Sequence, residues 1–223
     1  QLMENSVYAI DMKRMLSCVD VTSGLVNWFY LPEFNIEGKL RLAGDDLIFT
    51  AGDVIYDLDP KRGALKWKAP LNFTVASSPR VEGNSILLGS MDGRAYHMAF
   101  NDPNPDWWTS TSGPVVSCPV QLAEEIMGVA STAKSVALFE HIRGKNIWQY
   151  PPEGEAGGEF RADLVMADGI IYAGCSNFRL YALDANKGGV VWSFLTQGPI
   201  TRAPFLIGTE MLVFADGDGL YLV

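Results

Sequence analysis

What this sequence has little of excludes most classes of function. Cations are scarce: Lys and Arg number 17 against 26 Asp and Glu, for a formal net charge of -9 and a pI near 4.7. A phosphate backbone is held by clustered Lys and Arg, so nucleic acid is excluded as a partner. No apolar run approaches the roughly 18 residues of a membrane-spanning helix, and no transmembrane segment is expected. The first residues, Gln1-Leu-Met-Glu-Asn-Ser6, lack the basic and apolar regions of a leader peptide. The three cysteines, Cys18, Cys118 and Cys175, are neither adjacent nor spaced like metal ligands, and they read as small buried hydrophobes. Of the two histidines, His97 and His141, neither accompanies a Gly-x-Ser-x-Gly elbow or a zinc-type spacing, so both read as structural. No 3.6-residue periodicity of useful length argues for a helix.

What is present is a repeat. All six tryptophans fall in or beside one recurring position: Trp28, Trp67, Trp107 with Trp108, Trp148 and Trp192, at intervals of 39, 40, 41 and 44 residues. Gly24, Gly63, Gly144 and Gly188 each stand four residues before a tryptophan. Asp20, Asp59, Glu140 and Asp184 each stand eight before. The copy at Trp107 has lost both and carries Ala99 and Pro103 instead. On the other side, Pro79, Pro119 and Pro204 each lie twelve residues after a tryptophan. Two registers with one period identify a repeat protein.

Each unit parses into four short strands. Leu47–Phe49, Ile86–Leu88, Ile170–Tyr172 and Met211–Phe214 are continuous apolar runs, the pattern of a strand buried on both faces. Gly52-Asp53, Asn177 and Asp216-Gly-Asp-Gly219 follow them as hairpin turns. A period near 40 with four antiparallel strands predicts an all-β fold, a β-propeller whose blades are sandwiched between neighbours. The repeated proline cannot donate to a ladder and belongs at an edge strand, here the inner one. The expected organisation is a single domain over residues 1–223, with repeats near 1–30, 31–69, 70–109, 110–150, 151–195 and 196–223. The ends fit less well. Val7–Val21 reads as the second and third strands of a unit without its first, and Ile200–Val223 as three strands without the fourth. Two countings follow. If Leu25–Tyr30 completes the last blade there are five blades, with residues 1–20 left over. Otherwise there are six, two of them incomplete, or the chain is a fragment of a larger ring. The blade-like character of residues 1–20 favours incompleteness.

The run Ala182-Leu-Asp184-Ala-Asn-Lys-Gly188-Gly-Val-Val-Trp192 resembles the tryptophan-docking motif of PQQ-like β-propeller repeats, Ala-x-Asp-x-x-Thr-Gly-Lys-x-x-Trp. Lys187 and Gly189 depart from its Thr and Lys, and Cys18–Trp28, Asp57–Trp67 and Leu138–Trp148 are weaker matches. The resemblance implies that Trp28, Trp67, Trp107, Trp148 and Trp192 are structural docking residues between blades. It also implies an extracytoplasmic location, periplasmic or secreted. The family holds quinone-dependent dehydrogenases, which resemble one another in a vicinal Cys-Cys disulfide against the quinone. It also holds cofactor-free members, among them the propeller lipoprotein of the outer-membrane β-barrel assembly machinery. Without a Cys-Cys pair, this chain is expected on the non-enzymatic side, with no cofactor and no catalytic residue.

Few other constellations carry chemistry. Asp102-Pro-Asn104-Pro-Asp106 spaces its oxygens like the start of a calcium loop, but Trp107 stands where the loop needs Gly, and the stretch reads as a polar connection without metal. Aligning the inner strands places Lys39, Arg161 and Arg202 at equivalent or nearly equivalent positions, with Ser77 and Ser117 in the remaining two. Together these would form a ligand-binding channel mouth for an anion, unless Glu37, Glu159 or Asp163 neutralises the cations locally. The acidic, glycine-rich connection Tyr150–Glu159 is a candidate for partner contact. The expected function is a scaffold that binds a protein partner or a small anionic ligand. The alternatives are a quinone-dependent or other channel-site enzyme, and a ligand-sensing domain of a larger receptor or kinase.

Overall fold

The computed structural model describes residues 2–3, 5–123, 125–151 and 157–223, and the side chains of these apart from Leu2, Met3 and Glu37. None of the described residues is helical. The strands form six antiparallel sheets in chain order, five of four strands and a last of three. The first sheet comprises Leu2–Met3, Ser6–Ile10, Leu16–Asp20 and Val26–Tyr30; the second Ile36–Ala43, Asp46–Ala51, Val54–Leu58 and Leu65–Pro70. The third and fourth comprise Arg80–Glu82, Ser85–Gly89, Arg94–Ala99 and Pro105–Ser110, then Val120–Ala123, Ile126–Ser131, Ser135–Glu140 and Asn146–Tyr150. The fifth comprises Val165–Ala167, Ile170–Gly174, Arg179–Asp184 and Val190–Leu195, and the sixth Phe205–Ile207, Glu210–Ala215 and Gly219–Leu222. Within every sheet each strand pairs with its sequence neighbour, which is the meander of a propeller blade.

The five-blade counting is overturned at the N-terminus. Val26–Tyr30 pairs with Leu16–Asp20 through Leu16↔Tyr30 and Cys18↔Trp28, so it completes the first sheet rather than the last. The first strand that seemed missing is the two-residue Leu2–Met3, paired with Ser6–Val7. It is too short to show an apolar pattern. The sixth sheet carries three strands, as read from the sequence. Pro79, Pro119 and Pro204 each stand immediately before the first strand of a sheet, where no ladder donor is needed.

Five apolar cores lie between consecutive sheets. Leu47 and Phe49 turn towards Tyr8, Leu16 and Trp28 of the first sheet, while Ile48 between them turns towards Ile86, Leu88 and Tyr96 of the third. Alternate side chains of one strand thus enter different cores, which is why these strands are apolar at every position. Each fully buried Phe or Leu contributes on the order of 2 kcal/mol. The far face of the sixth sheet holds Phe214, Leu220 and Leu222, alternating with the buried Val213 and the partly buried Tyr221 that face the fifth. Leu220 and Leu222 are exposed, and no described sheet covers them.

The recurrent acid, glycine and tryptophan form one joint. Asp59 Oδ1 accepts the backbone N–H groups of Lys61 and Arg62, which tightens the turn before the fourth strand. The turn ends at Gly63 with φ +66, and a Cβ there would lie 2.5 Å from the indole of Trp28 in the preceding sheet. Trp28 Nε1 donates to Pro60 O of the same turn at 3.0 Å, joined by Tyr8 OH at 3.0 Å. Trp148 repeats the arrangement on Gly188, donating to Ala185 O at 2.9 Å. Trp107 packs on Gly144, but its Nε1 is buried without a hydrogen bond among the described residues. Trp67 packs at the edge of the core between the second and third sheets, where the next turn has lost its glycine. Trp192 tilts onto Tyr172 of its own sheet at 5.8 Å and stays 38% exposed. The socket of the first sheet, Gly24 with φ +71, has nothing within 4 Å of a built Cβ.

Opposite Trp67 in the second sheet sits Asp57, 2% exposed, its Oδ1 without a hydrogen-bond partner among the described residues. Burial alone pushes its carboxyl from 3.8 up to about 6.

Two outcomes follow from these contacts. Gly63→Val sets a side chain into the Trp28 indole and should cost about 3–5 kcal/mol of unfolding free energy. Gly24→Val meets open space and should cost only the left-handed backbone penalty, about 1–2 kcal/mol; equal losses in urea titrations would remove the docking role. For Asp57, the folded state holds the proton more tightly than the unfolded chain. Its stability contribution is therefore intact below pH 3.8 and lost as pH rises through about 6. Asp57→Asn should stabilise by roughly 1–3 kcal/mol at pH 8 and by nothing at pH 3.5, read from the same titrations at both pH values.

Candidate functional site

The first strand of the second sheet and the segments leading into the first strands of the later sheets converge on a shared opening. It has a volume of about 460 Å³ and is lined by Lys39 of the second sheet, Ser78 of the third, Val116 of the fourth, Arg161 and Asp163 of the fifth, and Arg202 of the sixth. The structure therefore brings Lys39, Arg161 and Arg202 into one wall. Ser77 and Ser117 are not part of it. Ser77 Oγ accepts the N–H of Gly89 at 2.7 Å, and Ser117 Oγ accepts that of Ala130 at 2.8 Å and donates to the Ala130 carbonyl. Both are buried inside their own sheets, where a hydroxyl satisfies backbone groups between the inner segment and the second strand. Sequence alignment assigned the register but not which way a side chain turns.

Two of the three cations have acids beside them. Lys39 Nζ lies 3.0 Å from Asp163 Oδ2, a bond reaching from the second sheet to the fifth. The other oxygen, Asp163 Oδ1, accepts the Cys118 N–H of the fourth sheet at 2.8 Å. Arg161 Nε donates to Glu159 Oε2 at 2.6 Å, with both side chains half-exposed. Arg202 has no acid within ion-pair distance among the described residues; its guanidinium lies over the Phe214 ring at 4.4 Å from the centroid. Beside it, Thr201 Oγ1 donates to Asp216 Oδ2. Two residues beyond Lys39, Arg41 donates to Pro79 O at 2.9 Å and to Cys118 Sγ at 3.0 Å, joining the second, third and fourth sheets. Arg41 escaped notice in the sequence because its partner is a backbone carbonyl and a thiol. Burial raises the Cys118 thiol above its usual range, and the neighbouring Arg41 only partly opposes this, so the sulfur stays protonated.

The remaining constellations are structural. His97 stacks on Trp107 with ring centroids 4.9 Å apart, meets His141 edge-on at 5.5 Å, and sets Nδ1 3.2 Å from Asp106 Oδ2. Burial, with His141 alongside, lowers its pKa and keeps it neutral as a spacer between the third and fourth sheets. Asp102 Oδ1 accepts the backbone N–H and side-chain amide of Asn104, the closed turn of a polar connection. Residues 152–156 of the Tyr150–Glu159 connection lie outside the described residues. Cys18, Cys118 and Cys175 are free thiols in or beside the first, fourth and fifth sheets, an arrangement that does not fit a quinone held against a vicinal disulfide.

Comparison with known proteins agrees with this geometry. The chain is 22% identical over 212 residues to the outer membrane protein assembly factor BamB of Yersinia pestis, covering 84% of this chain and 53% of that one. It is 25% identical over 174 residues to the BamB of Nitrosomonas eutropha, covering 76% and 40%. The chain thus spans about half the length, or less, of these curated relatives. Among solved structures it matches BamB from Moraxella catarrhalis with a TM-score of 0.79 at 16% identity, over 99% of this chain and 70% of that one. It also matches the computationally designed Ika8 protein with a TM-score of 0.82 at 12% identity, over all of this chain and 69% of that one. The family model described as outer membrane protein assembly factor BamB matches residues 36–151 and 132–223, and the chain belongs to that family.

Proposed function

We propose that this chain acts outside the cytoplasm as a non-catalytic docking module in the assembly of outer membrane proteins, holding a protein partner on a rigid propeller. The observation that carries the reading is the family match, which spans residues 36–223 and so includes every blade but the first. The side-chain inventory supports it. The wall of the central opening presents cations and one doubly bonded aspartate, a surface for recognition. The histidines are packed between sheets, remote in role from any nucleophile. Stacked antiparallel sheets hold such a surface in fixed geometry, and the loops and inner segments at the blade ends are free to vary in chemistry.

The test is complementation. Exported by an added leader into the periplasm of a bacterium lacking its own BamB, the folded chain should restore outer-membrane porin levels and co-purify with the assembly complex. Folded, exported protein that does neither would overturn the proposal.

A further inference from the structure

Among the described residues, the channel mouth pairs Lys39 and Arg161 with acids but not Arg202. Its wall contains Lys39, Arg161, Arg202 and Asp163. Asp163 has one oxygen on Lys39 and the other on the Cys118 N–H. Neither arginine lies within ion-pair distance of it among the described residues. Arg161 is bound to Glu159 through Nε, in a pair whose side chains are 50% and 38% exposed, an arrangement worth little in water and easily exchanged. Arg202 lies over the Phe214 ring, 4.4 Å from its centroid, and meets no acid among the described residues. A guanidinium beside an aromatic ring keeps its N–H donors unspent, and their planar fork matches a carboxylate. The surrounding protein is acidic overall, with a net charge of -9, so this concave opening is a local reversal of sign.

We propose that Arg161 and Arg202 form a carboxylate-binding site at the channel mouth, and that its ligand is an acidic side chain on a protruding segment of a partner protein. The inference rests on the docking reading above and adds the chemistry of the contact. An opening of about 460 Å³ admits a loop tip bearing Asp or Glu. Arg202 binds the carboxylate, and Arg161 exchanges Glu159 for it or shares the two. Lys39 and Asp163 act differently: they bridge the second and fifth sheets and hold the wall in place.

The test is calorimetric titration at low salt of the full chain with a terminally blocked tetraglutamate peptide, with blocked tetraglutamine and citrate as comparison probes. Tetraglutamate should bind and tetraglutamine should not. Arg202→Ala and the double variant Arg161→Ala/Arg202→Ala should weaken tetraglutamate at least tenfold, and added salt should weaken it further. Arg62→Ala, an equal change of charge on the turn beside Gly63, should leave binding unchanged. No tetraglutamate binding, an equal loss in Arg62→Ala, or binding of citrate with exclusion of the peptide would each overturn the site. Should tetraglutamate fail while the exported chain still restores porin levels, only this inference falls and the docking module stands.

Discussion

The structure depends on one contact, an indole laid on a glycine across the gap between two sheets. A blade has two apolar faces and no means of covering either by itself, so its stability is a nearest-neighbour property. The indole-on-glycine joint sets the distance and register at which neighbours meet. The acid tightens the turn, the glycine leaves the space that any Cβ would fill, and the ring enters it with its N–H on the turn carbonyl. Where the pattern decays the packing changes character. At Trp107 the carbonyl bond is missing, and a stacked histidine pads the ring instead.

A second set of constraints runs across the centre. Lys39 with Asp163 and Arg41 with Cys118 tie sheets that are not neighbours in sequence, and Arg41 with Pro79 ties two that are. These polar ties are made where inner segments converge and apolar packing runs out. They fix the wall against which Arg161 and Arg202 stand, so that wall inherits its rigidity from both the joints and the ties.

The blade pattern was legible in the sequence because its causes are local: Asp59 bonds the N–H groups two and three residues on, and Gly63 takes a conformation its neighbours require. The second strands could be read because burial on both faces removes polar residues from every position, as at Leu47-Ile-Phe49. The first strand of the first sheet was missed because two residues carry no pattern. The tryptophan register implied five equivalent rings, yet a docked ring needs a turn in the next sheet to receive it. Trp192 finds no such turn among the described residues.

The site divides the same way. By itself the sequence determined the repeat, the fold class and the positions on the inner segments where Lys39, Arg161 and Arg202 occur, since these follow from spacing along the chain. Only the tertiary structure decided that Ser77 and Ser117 turn inward to their own sheets. It also decided that Asp163 bonds Lys39 from three sheets away, and that Arg202 rests on Phe214 without an acid among the described residues. The physical reason is that turn chemistry and strand periodicity act over a few residues. The pairing of a charge depends on which groups the closed arrangement of sheets brings within a few ångströms, and no local pattern records that.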